Sequence, residues 1–498
     1  MTRRFESLTR RGMLAGLLST AGGSVLAGAP ALTERPLPRG APPPPAPVAP
    51  IVASRSEAIV KAAKLGGEVG FAVADAESGV LLEARLPNTP LPPASTLKVV
   101  TALYALDKLG GDHRFATRVL TTGPIEDGRI EGDLILAGGG DPTLDTDRLA
   151  ELARLLREAG VTEVSGRFLL AADALPRGDR IDHEQPDHVA YNPAFGGLNL
   201  NFNRVHFQWE KQQDDFAITM HARGRNFSPA TNVAYMGIIE RKSPVFEYRK
   251  GRDRDKWTVA EWALGRDGAR WLPVRFPALY AGDVFRTLAR SNGIVLKPAE
   301  MVSDLSLARP LVQVESDLLV PMLQRMLKYS TNLTAEVSGM AASSRDGEID
   351  GLTASGARMS GWATARFGVV GPQFRDHSGL GYASGIAPQD MVRILSGSRG
   401  IAPLLKTVNL STSKQNPGPK GVLVRAKTGT LNFVSSLAGF VTVPGGRDLA
   451  FSIMTADTAR RDAIPPAERE RPPGSKSWAR RSRRMQKELI REWAARLA

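Results

Sequence analysis

Alternating and continuous apolar runs predict strands near both ends of the folded part of the chain. Val69, Phe71 and Val73 alternate with small or polar residues, as in a strand with one buried face, and a second strand follows at 80–84. Three more strands are predicted by apolar runs between turn-forming residues, at 422–430, 436–443 and 449–454. A Pro-Gly-Gly turn separates the last two, which we expect to form a hairpin.

Apolar residues recur with helical spacing between these strands and at the end of the chain. The predicted helices run from Ser95 to Gly110, over 146–159, over 277–293, from Ser316 to about 328, and from about Ser477 onward. Met485, Leu489 and Trp493 give the last helix one apolar stripe, which we expect to pack on the sheet. Its arginines could also contact an anionic membrane surface or a wall polymer.

The middle of the chain differs in character. From about residue 116, short predicted strands at 117–121, 133–136 and 167–171 alternate with Gly-rich turns, and polar sequence continues to about 270. We interpret residues 116–271 as an inserted domain of mixed β character.

The N-terminal residues have the composition of a targeting segment. Residues 1–31 place four arginines before an apolar run of small residues that is too short and Gly-rich for a good membrane span. Thr9-Arg10-Arg11-Gly12-Met13-Leu14 resembles a twin-arginine export signal. Residues 32–50 form a proline-rich linker. Whether the signal is cleaved or kept as an anchor, we expect the folded part to lie outside the cytoplasm, in the periplasm.

Composition and charge exclude several classes of function. The 498 residues include no cysteine, which rules out disulfides, thiolate metal sites and a cysteine nucleophile. The formal net charge is +14, but residues 1–31 carry +3 and residues 460–498, with twelve Lys/Arg and five Asp/Glu, carry +7. The remaining residues carry only +4, without a basic patch interleaved with aromatics. We therefore expect no nucleic-acid partner.

The candidate chemistry begins with Ser95 and Lys98, which are three residues apart and share one face of a predicted helix. A serine hydroxyl becomes a useful nucleophile when a neighbouring base takes its proton, so Ser95 is the candidate nucleophile and Lys98 its base. The spacing alone is weak evidence, because a solvated helix start explains it equally well. Ser411 and Lys414 repeat it in a loop rich in Gly and Pro.

Two further motifs occur once each in the chain. Ser330-x-Asn332 follows a predicted helix, although a simple helix end with Asn332 as the next N-cap would also explain it. Lys427-Thr428-Gly429 lies on a predicted strand, where the glycine would let a ligand or another backbone come close.

Other suggestive residues carry less weight. The Gly-rich segment 138–142 lacks the Gly-Lys-Ser/Thr of a phosphate-binding loop, so we interpret it as a turn. His183 and His188 have no supporting cluster of ligands. We expect neither a metal nor a cofactor.

Taken in order, Ser-x-x-Lys, Ser-x-Asn and Lys-Thr-Gly resemble the motifs of the class C low-molecular-mass penicillin-binding proteins, the D-alanyl-D-alanine carboxypeptidase/endopeptidases of the peptidase S13 family. The resemblance covers about residues 55–455. Ser330 follows Ser95 by 235 positions, a separation that leaves room for the insert. The implied fold is of the α/β (α+β) class. A β-lactamase/transpeptidase-like domain, residues 51–115 and 272–498, has an antiparallel sheet flanked by helices and is interrupted by the inserted domain.

The resemblance also implies an acyl-enzyme mechanism. Ser95 would attack the carbonyl of the penultimate D-alanine, with Lys98 as the general base. Burial and a second cation nearby, such as Lys427, would lower the pKa of Lys98. Ser330 would relay the proton to the leaving amine. The implied partners are stem peptides ending in D-Ala-D-Ala and β-lactam inhibitors.

The remaining motif residues would bind the substrate. Asn332 would hold Lys98 and the substrate amide, and Lys427, Thr428 and Thr430 would bind the terminal carboxylate. The backbone N–H groups of Ser95 and Thr430 would form the oxyanion hole.

Two residues depart from the pattern of the family. Thr331 occupies the middle of the second motif, where Asp or Asn is more frequent, and His377 stands where Gly is usual. Neither change removes a reacting group, but both leave substrate preference open. A serine β-lactamase or esterase with the same fold, or a wall-binding protein without activity, remain as alternatives.

Overall fold

The computed structural model describes residues 55–213, 215–413 and 415–497, so the predicted export signal and linker lie outside the described residues. In these ranges the helices are α1 Arg55–Ala62, α2 Leu97–Leu109, α3 Thr146–Glu158, α4 Pro277–Ser291, α5 Leu319–Tyr329, α6 Asn332–Ser343, α7 Leu352–Phe367, α8 Pro388–Ser396, α9 Thr458–Asp462 and α10 Ser475–Arg496.

The strands of the same ranges are numbered in chain order. They are β1 Glu68–Asp75, β2 Leu81–Arg85, β3 Ala116–Thr121, β4 Ile125–Glu126, β5 Arg129–Ile130, β6 Leu134–Gly138, β7 Glu163–Val164, β8 Phe168–Ala171, β9 Arg204–Gln212, β10 Asp215–His221, β11 Ala234–Ile239, β12 Phe246–Lys250, β13 Asp255–Ala260, β14 Asp267–Pro273, β15 Ala299–Met301, β16 Arg309–Glu315, β17 Lys406–Thr407, β18 Leu423–Leu431, β19 Val434–Thr442 and β20 Leu449–Ala456.

A six-stranded sheet joins the beginning and the end of the folded chain. Its order is β17-β18-β19-β20-β1-β2, and every neighbouring pair is antiparallel. All eight residues of β20 are buried, as are eight of the nine in β19, because helices cover both faces of the sheet. Their near-continuous apolar sequence follows from this double coverage.

Two groups of helices form these two layers. On one face, residues of α2, α5, α6, α7 and α8 form a buried apolar cluster with β1, β19 and β20. On the other face, α1 and the apolar stripe of α10 pack on the sheet, with the Phe71 and Trp493 rings 5.4 Å apart. The predicted packing of the C-terminal helix and the predicted antiparallel sheet flanked by helices are thus confirmed.

Smaller sheets lie between β2 and β17 in the chain, and among them β10-β9-β14 is antiparallel. One has five strands in the order β15-β8-β6-β3-β16, and β8 pairs in parallel with both β6 and β15. Two three-stranded sheets, β10-β9-β14 and β11-β13-β12, share a core with it, together with α3 and α4. Strands β15 and β16 pair with β8 and β3, so this pairing also includes residues beyond 271. The division of the chain into two domains stays a prediction.

None of the helices in the described ranges is both long and apolar enough to cross a membrane. The predicted strands and helices are found within a few residues of their expected ends. One difference matters for the site: Ser95 lies in a short 3-10 turn, Ala94–Thr96, and the regular α2 helix begins only at Leu97.

Candidate active site

The predicted site residues meet at a cavity of about 530 Å³ between the six-stranded sheet and the α5–α6 junction. Ser95, Ser330, Asn332 and Thr430 line it directly. Lys98 and the Lys-Thr-Gly motif, residues 427–429, lie behind this lining. The structure therefore brings together residues of three motifs, the first and last of which are more than 300 positions apart in the sequence.

The backbone holds Ser95 in a strained turn. Ala94, the residue before it, has φ of +46°, a left-handed conformation that costs free energy for a residue with a Cβ. The Ser436 hydroxyl donates a 2.5 Å hydrogen bond to the Pro93 carbonyl and fixes the turn against the sheet. Strain of this kind persists only where surrounding contacts enforce it, and it concentrates at functional sites.

Gly429 allows this close approach of the turn to strand β18. A Cβ at this position would lie 2.9 Å from the Ala94 Cβ, 2.9 Å from the Pro93 carbonyl oxygen and 2.2 Å from the Ser436 Oγ. The glycine inside the predicted strand thus has a physical reason: a backbone that carries Ser95 packs against it.

Lys98 is fully buried, and its Nζ makes three hydrogen bonds. It lies 2.9 Å from the Ser95 Oγ, 2.7 Å from the Asn332 Oδ1 and 2.7 Å from the Ser378 carbonyl oxygen. The Ser-x-x-Lys spacing produces the first contact, since residues three apart meet on one helix face. The other two contacts come from residues more than 230 positions away and fix the amine against the hydroxyl.

Burial lowers the pKa of Lys98 to about 8, because removing the ammonium group from water disfavours its charged form. Two buried carboxylates, Glu336 and Asp376, oppose this shift by favouring the ammonium. Burial, with Asp376 nearby, in turn raises the pKa of Glu336. Such a pKa leaves about a tenth of the lysine neutral near pH 7, far more than in an ordinary lysine, and a general base requires this neutral form.

Ser330 and Lys427 form a second hydroxyl–amine pair in the site. The Lys427 Nζ lies 2.9 Å from the Ser330 Oγ and 2.7 Å from the Thr428 carbonyl oxygen. Ser330 caps the C-terminus of α5 in a left-handed conformation, with φ of 61°. Burial lowers the pKa of Lys427 to about 6, and the ammonium groups of Lys98 and Lys406 add to the shift.

Asn332 is the first residue of α6, whose N-cap is Thr331, and the Asn332 side chain does not cap the helix. Its Oδ1 accepts from Lys98, and its Nδ2 donates a 2.8 Å bond to the Tyr191 carbonyl. The alternative of an ordinary N-cap at Asn332 is therefore wrong. The side chain instead connects the buried lysine to a loop of the middle region.

Thr428 and Thr430 lie two residues apart on β18. Thr430 is exposed and lines the cavity, whereas Thr428 is half-buried. Strand periodicity places the two side chains on the same side of the strand.

The sequence analysis assigned no role to Glu336, although this residue organises the floor of the site. Its two carboxylate oxygens accept hydrogen bonds of 2.8 and 3.0 Å from the backbone N–H groups of His377 and Ser378. The Ser378 carbonyl then accepts from Lys98. Glu336 lies one helical turn after Asn332, and this spacing of four could have revealed it.

His377, one of the two departures from the pattern, is buried behind the site. Its Nε2 lies 2.7 Å from the Ser355 Oγ, and burial lowers its pKa to about 3, so the ring stays neutral. A Cβ on Gly339 would lie 2.2 Å from this ring. The glycine on α6 thus makes room for the larger residue in the loop.

Other residues singled out in the sequence lie elsewhere. Ser411 bonds to the Ser413 carbonyl in a loop away from the cavity, and Lys414 is outside the described residues. His188 pairs with Glu470 at 2.8 Å. In the described part of the chain, no three His, Asp or Glu residues are grouped to hold a metal ion.

The chain is similar in sequence to known carboxypeptidases. The chain is 29% identical to a D-alanyl-D-alanine carboxypeptidase of Actinomadura sp. (strain R39), with 82% of each chain covered. It is 24% identical to the D-alanyl-D-alanine carboxypeptidase DacB of Haemophilus influenzae, covering 78% of this chain and 85% of that protein.

The fold is shared with a solved structure. The crystal structure of penicillin binding protein 4 (dacB) from Haemophilus influenzae superposes with a TM-score of 0.71 at 18% identity, over 89% of this chain and 99% of that chain. Residues 52–470 match the D-Ala-D-Ala carboxypeptidase 3 (S13) family. The chain therefore belongs to this family of serine-type carboxypeptidases, and the family and enzyme class predicted from the order of the three motifs are confirmed.

Proposed function

We propose that this protein cleaves peptidoglycan stem peptides ending in D-Ala-D-Ala through an acyl-enzyme on Ser95, and that penicillins acylate the same serine. The observation that carries the proposal is the fully buried Lys98 amine, 2.9 Å from the Ser95 hydroxyl. Membership of the family supports the reaction class.

In the acylation step, neutral Lys98 takes the proton of the Ser95 hydroxyl as its oxygen bonds to the carbonyl carbon of the penultimate D-alanine. Lys98 donates hydrogen bonds to the Asn332 Oδ1 and the Ser378 carbonyl, which hold the amine in place, so little reorganisation is needed at the moment of reaction. The backbone N–H groups of Ser95 and Thr430 are proposed to stabilise the oxyanion, a contribution of about 3 kcal/mol for one such donor.

The second pair serves the leaving group and the substrate carboxylate. As the peptide C–N bond breaks, Ser330 relays to the terminal D-alanine amine the proton that Lys98 took from Ser95, so that Lys98 is neutral again. Lys427 donates a hydrogen bond to the Ser330 hydroxyl. The terminal carboxylate binds Lys427 and the hydroxyls of Thr428 and Thr430, and its negative charge favours the ammonium form of Lys427. Water then hydrolyses the ester and frees Ser95.

A β-lactamase would need a residue that activates water for rapid deacylation. Among the described residues that line the cavity, Glu470 is the one carboxylate that could activate water. It is already bound by His188 and Arg270. These partners lower the pKa of Glu470 and make it a weak base. The structure thus favours peptide cleavage, with slow loss of a penicillin adduct.

We further propose that the protein acts on the wall outside the cytoplasm, in the periplasm, after export. The N-terminal Arg-rich segment supports this location. A related structure, penicillin binding protein 4 (dacB) from Haemophilus influenzae, is described in complex with a β-lactam, which supports binding of the same inhibitor class here.

The test is release of D-alanine from a peptide ending in D-Ala-D-Ala. Wild-type protein should release D-alanine and Ser95→Ala should release none, while Ser411→Ala, the serine of the second Ser-x-x-Lys, should match the wild type. Rapid β-lactam turnover without D-alanine release would favour the β-lactamase alternative. No reaction with either compound would favour a wall-binding protein without activity.

A further inference from the structure

One wall of the catalytic cavity is cationic. Lys476, Arg480 and Arg483 line it together with Ser95 and Thr430. The three cations are exposed and belong to the first half of α10. Positions 476, 480 and 483 follow the i, i+4, i+7 spacing of one helix face.

The opposite side of this half-helix fixes its position. Trp478 and Ser482 are buried, and Trp478 packs against Phe433 in the turn between β18 and β19. The Ser475 hydroxyl also contacts the Asn432 Oδ1 at 3.4 Å. The cationic face therefore begins where strand β18 ends and is held rigidly beside the reacting serine.

These charges have no compensating carboxylates. In the part of the chain that the structure describes, Lys476, Arg480 and Arg483 form no ion pair and no side-chain hydrogen bond. Other charges at the mouth of the cavity are matched: Arg461 lies 3.6 Å from Glu184, and Glu470 is bound by two basic side chains. A cleft lined by uncompensated charge of one sign concentrates ligands of the opposite sign.

We propose that this face of α10 is a binding subsite for free carboxylates upstream of the scissile bond, so that the enzyme prefers acidic D-Ala-D-Ala peptides to amidated ones. The inference rests on the proposed function. The terminal carboxylate is assigned to Lys427, Thr428 and Thr430. The three cations of α10 would therefore bind other negative groups of the peptide. Seven residues of helix span about 10 Å, enough to meet more than one carboxylate of a peptide.

A matched pair of variants tests the subsite. Arg480→Glu reverses a charge that lines the cavity, whereas Arg481→Glu makes the same change at the next residue, which is equally exposed and does not line it. Two fluorescent peptides ending in D-Ala-D-Ala, identical except for upstream glutamate or glutamine, are titrated by anisotropy. Both variants are made in a Ser95→Ala background, so binding is measured without turnover.

We expect the Ser95→Ala protein to bind the glutamate peptide about tenfold more tightly than the glutamine peptide, a preference that added salt reduces. Arg480→Glu should abolish the preference, and Arg481→Glu should retain it. Equal affinities for the two peptides, or equal effects of the two variants, would overturn the subsite. The subsite would also be overturned if binding of a polyphosphate polymer depended on Arg480 and binding of the peptides did not. Absence of D-alanine release by the wild type would instead contradict the proposed function.

Discussion

The Nζ of Lys98 and the Oδ1 of Asn332 are 2.7 Å apart, although 234 positions separate the two residues in the chain. Because the lysine is fully buried, its position depends on such acceptors. The Lys98 amine donates three hydrogen bonds, to the Ser95 hydroxyl, the Asn332 amide oxygen and the Ser378 carbonyl, and these acceptors define where it lies. The catalytic proposal depends on this arrangement.

Asn332→Ala should slow acylation of Ser95 by a fluorescent penicillin on the order of 10- to 100-fold, since it removes an acceptor that positions the Lys98 amine beside the Ser95 hydroxyl. The measurement is the second-order rate constant of labelling. Asn409→Ala, in an exposed loop, provides the control and should label at the wild-type rate. If Asn332→Ala were labelled at the wild-type rate, the hydrogen bond from Lys98 to Asn332 would not be needed for acylation.

The pH dependence of kcat/KM should be bell-shaped, with a maximum near pH 7. Acylation requires one lysine neutral and one charged, and the pair titrates with pKa values of about 6 and 8. Below about pH 6 both amines are charged, and above about pH 8 both are neutral. Lys427→Arg should remove the alkaline limb, because the guanidinium keeps its charge. A flat profile between pH 5 and 9 would contradict this assignment.

Glu336→Gln should move the alkaline limb of that profile to lower pH. The Glu336 carboxylate favours the Lys98 ammonium, so its loss lowers the pKa of Lys98 further. An amide also cannot accept both N–H groups of the loop, which should reduce the free energy of unfolding by about 1–3 kcal/mol. Urea denaturation measures the second effect, with the exposed Glu151→Gln as control. If the alkaline limb did not move, Glu336 would have no electrostatic influence on Lys98.

Gly429→Ala should reduce labelling on the order of 100-fold, since the added methyl group would displace the turn that carries Ser95. Gly361→Ala, on α7, has nothing within 4 Å of the new Cβ and should leave labelling unchanged. Thermal unfolding of both variants separates local displacement from loss of the fold. If Gly429→Ala were labelled at the wild-type rate, the turn that carries Ser95 could move without slowing acylation.

The sequence predicted the residues whose chemistry requires a particular type on a particular element. Ser95 and Lys98 are one helical turn apart, and Lys427 lies on a strand with a glycine, so local spacing marked them as candidates. The order of the three motifs then distinguished Ser95 and Lys98 from Ser411 and Lys414, which have the same spacing. The antiparallel sheet and the C-terminal helix followed from apolar periodicity.

The remaining features depend on contacts that local patterns do not contain. The carbonyl groups of Ser378 and Tyr191 are backbone atoms, which carry no signature in the sequence. The basic C-terminal residues were recognised by charge alone. Only the packing of Trp478 on Phe433 explains why Arg480 lines the same cavity as Ser95.

The central claim is that Ser95 is the residue that becomes acylated, and mass spectrometry tests it most directly. Protein incubated with benzylpenicillin should gain the mass of one penicilloyl group, located by peptide mapping to Ser95. Ser411→Ala should gain the same mass and Ser95→Ala none. An adduct on another residue, or one that persists in Ser95→Ala, would contradict the account.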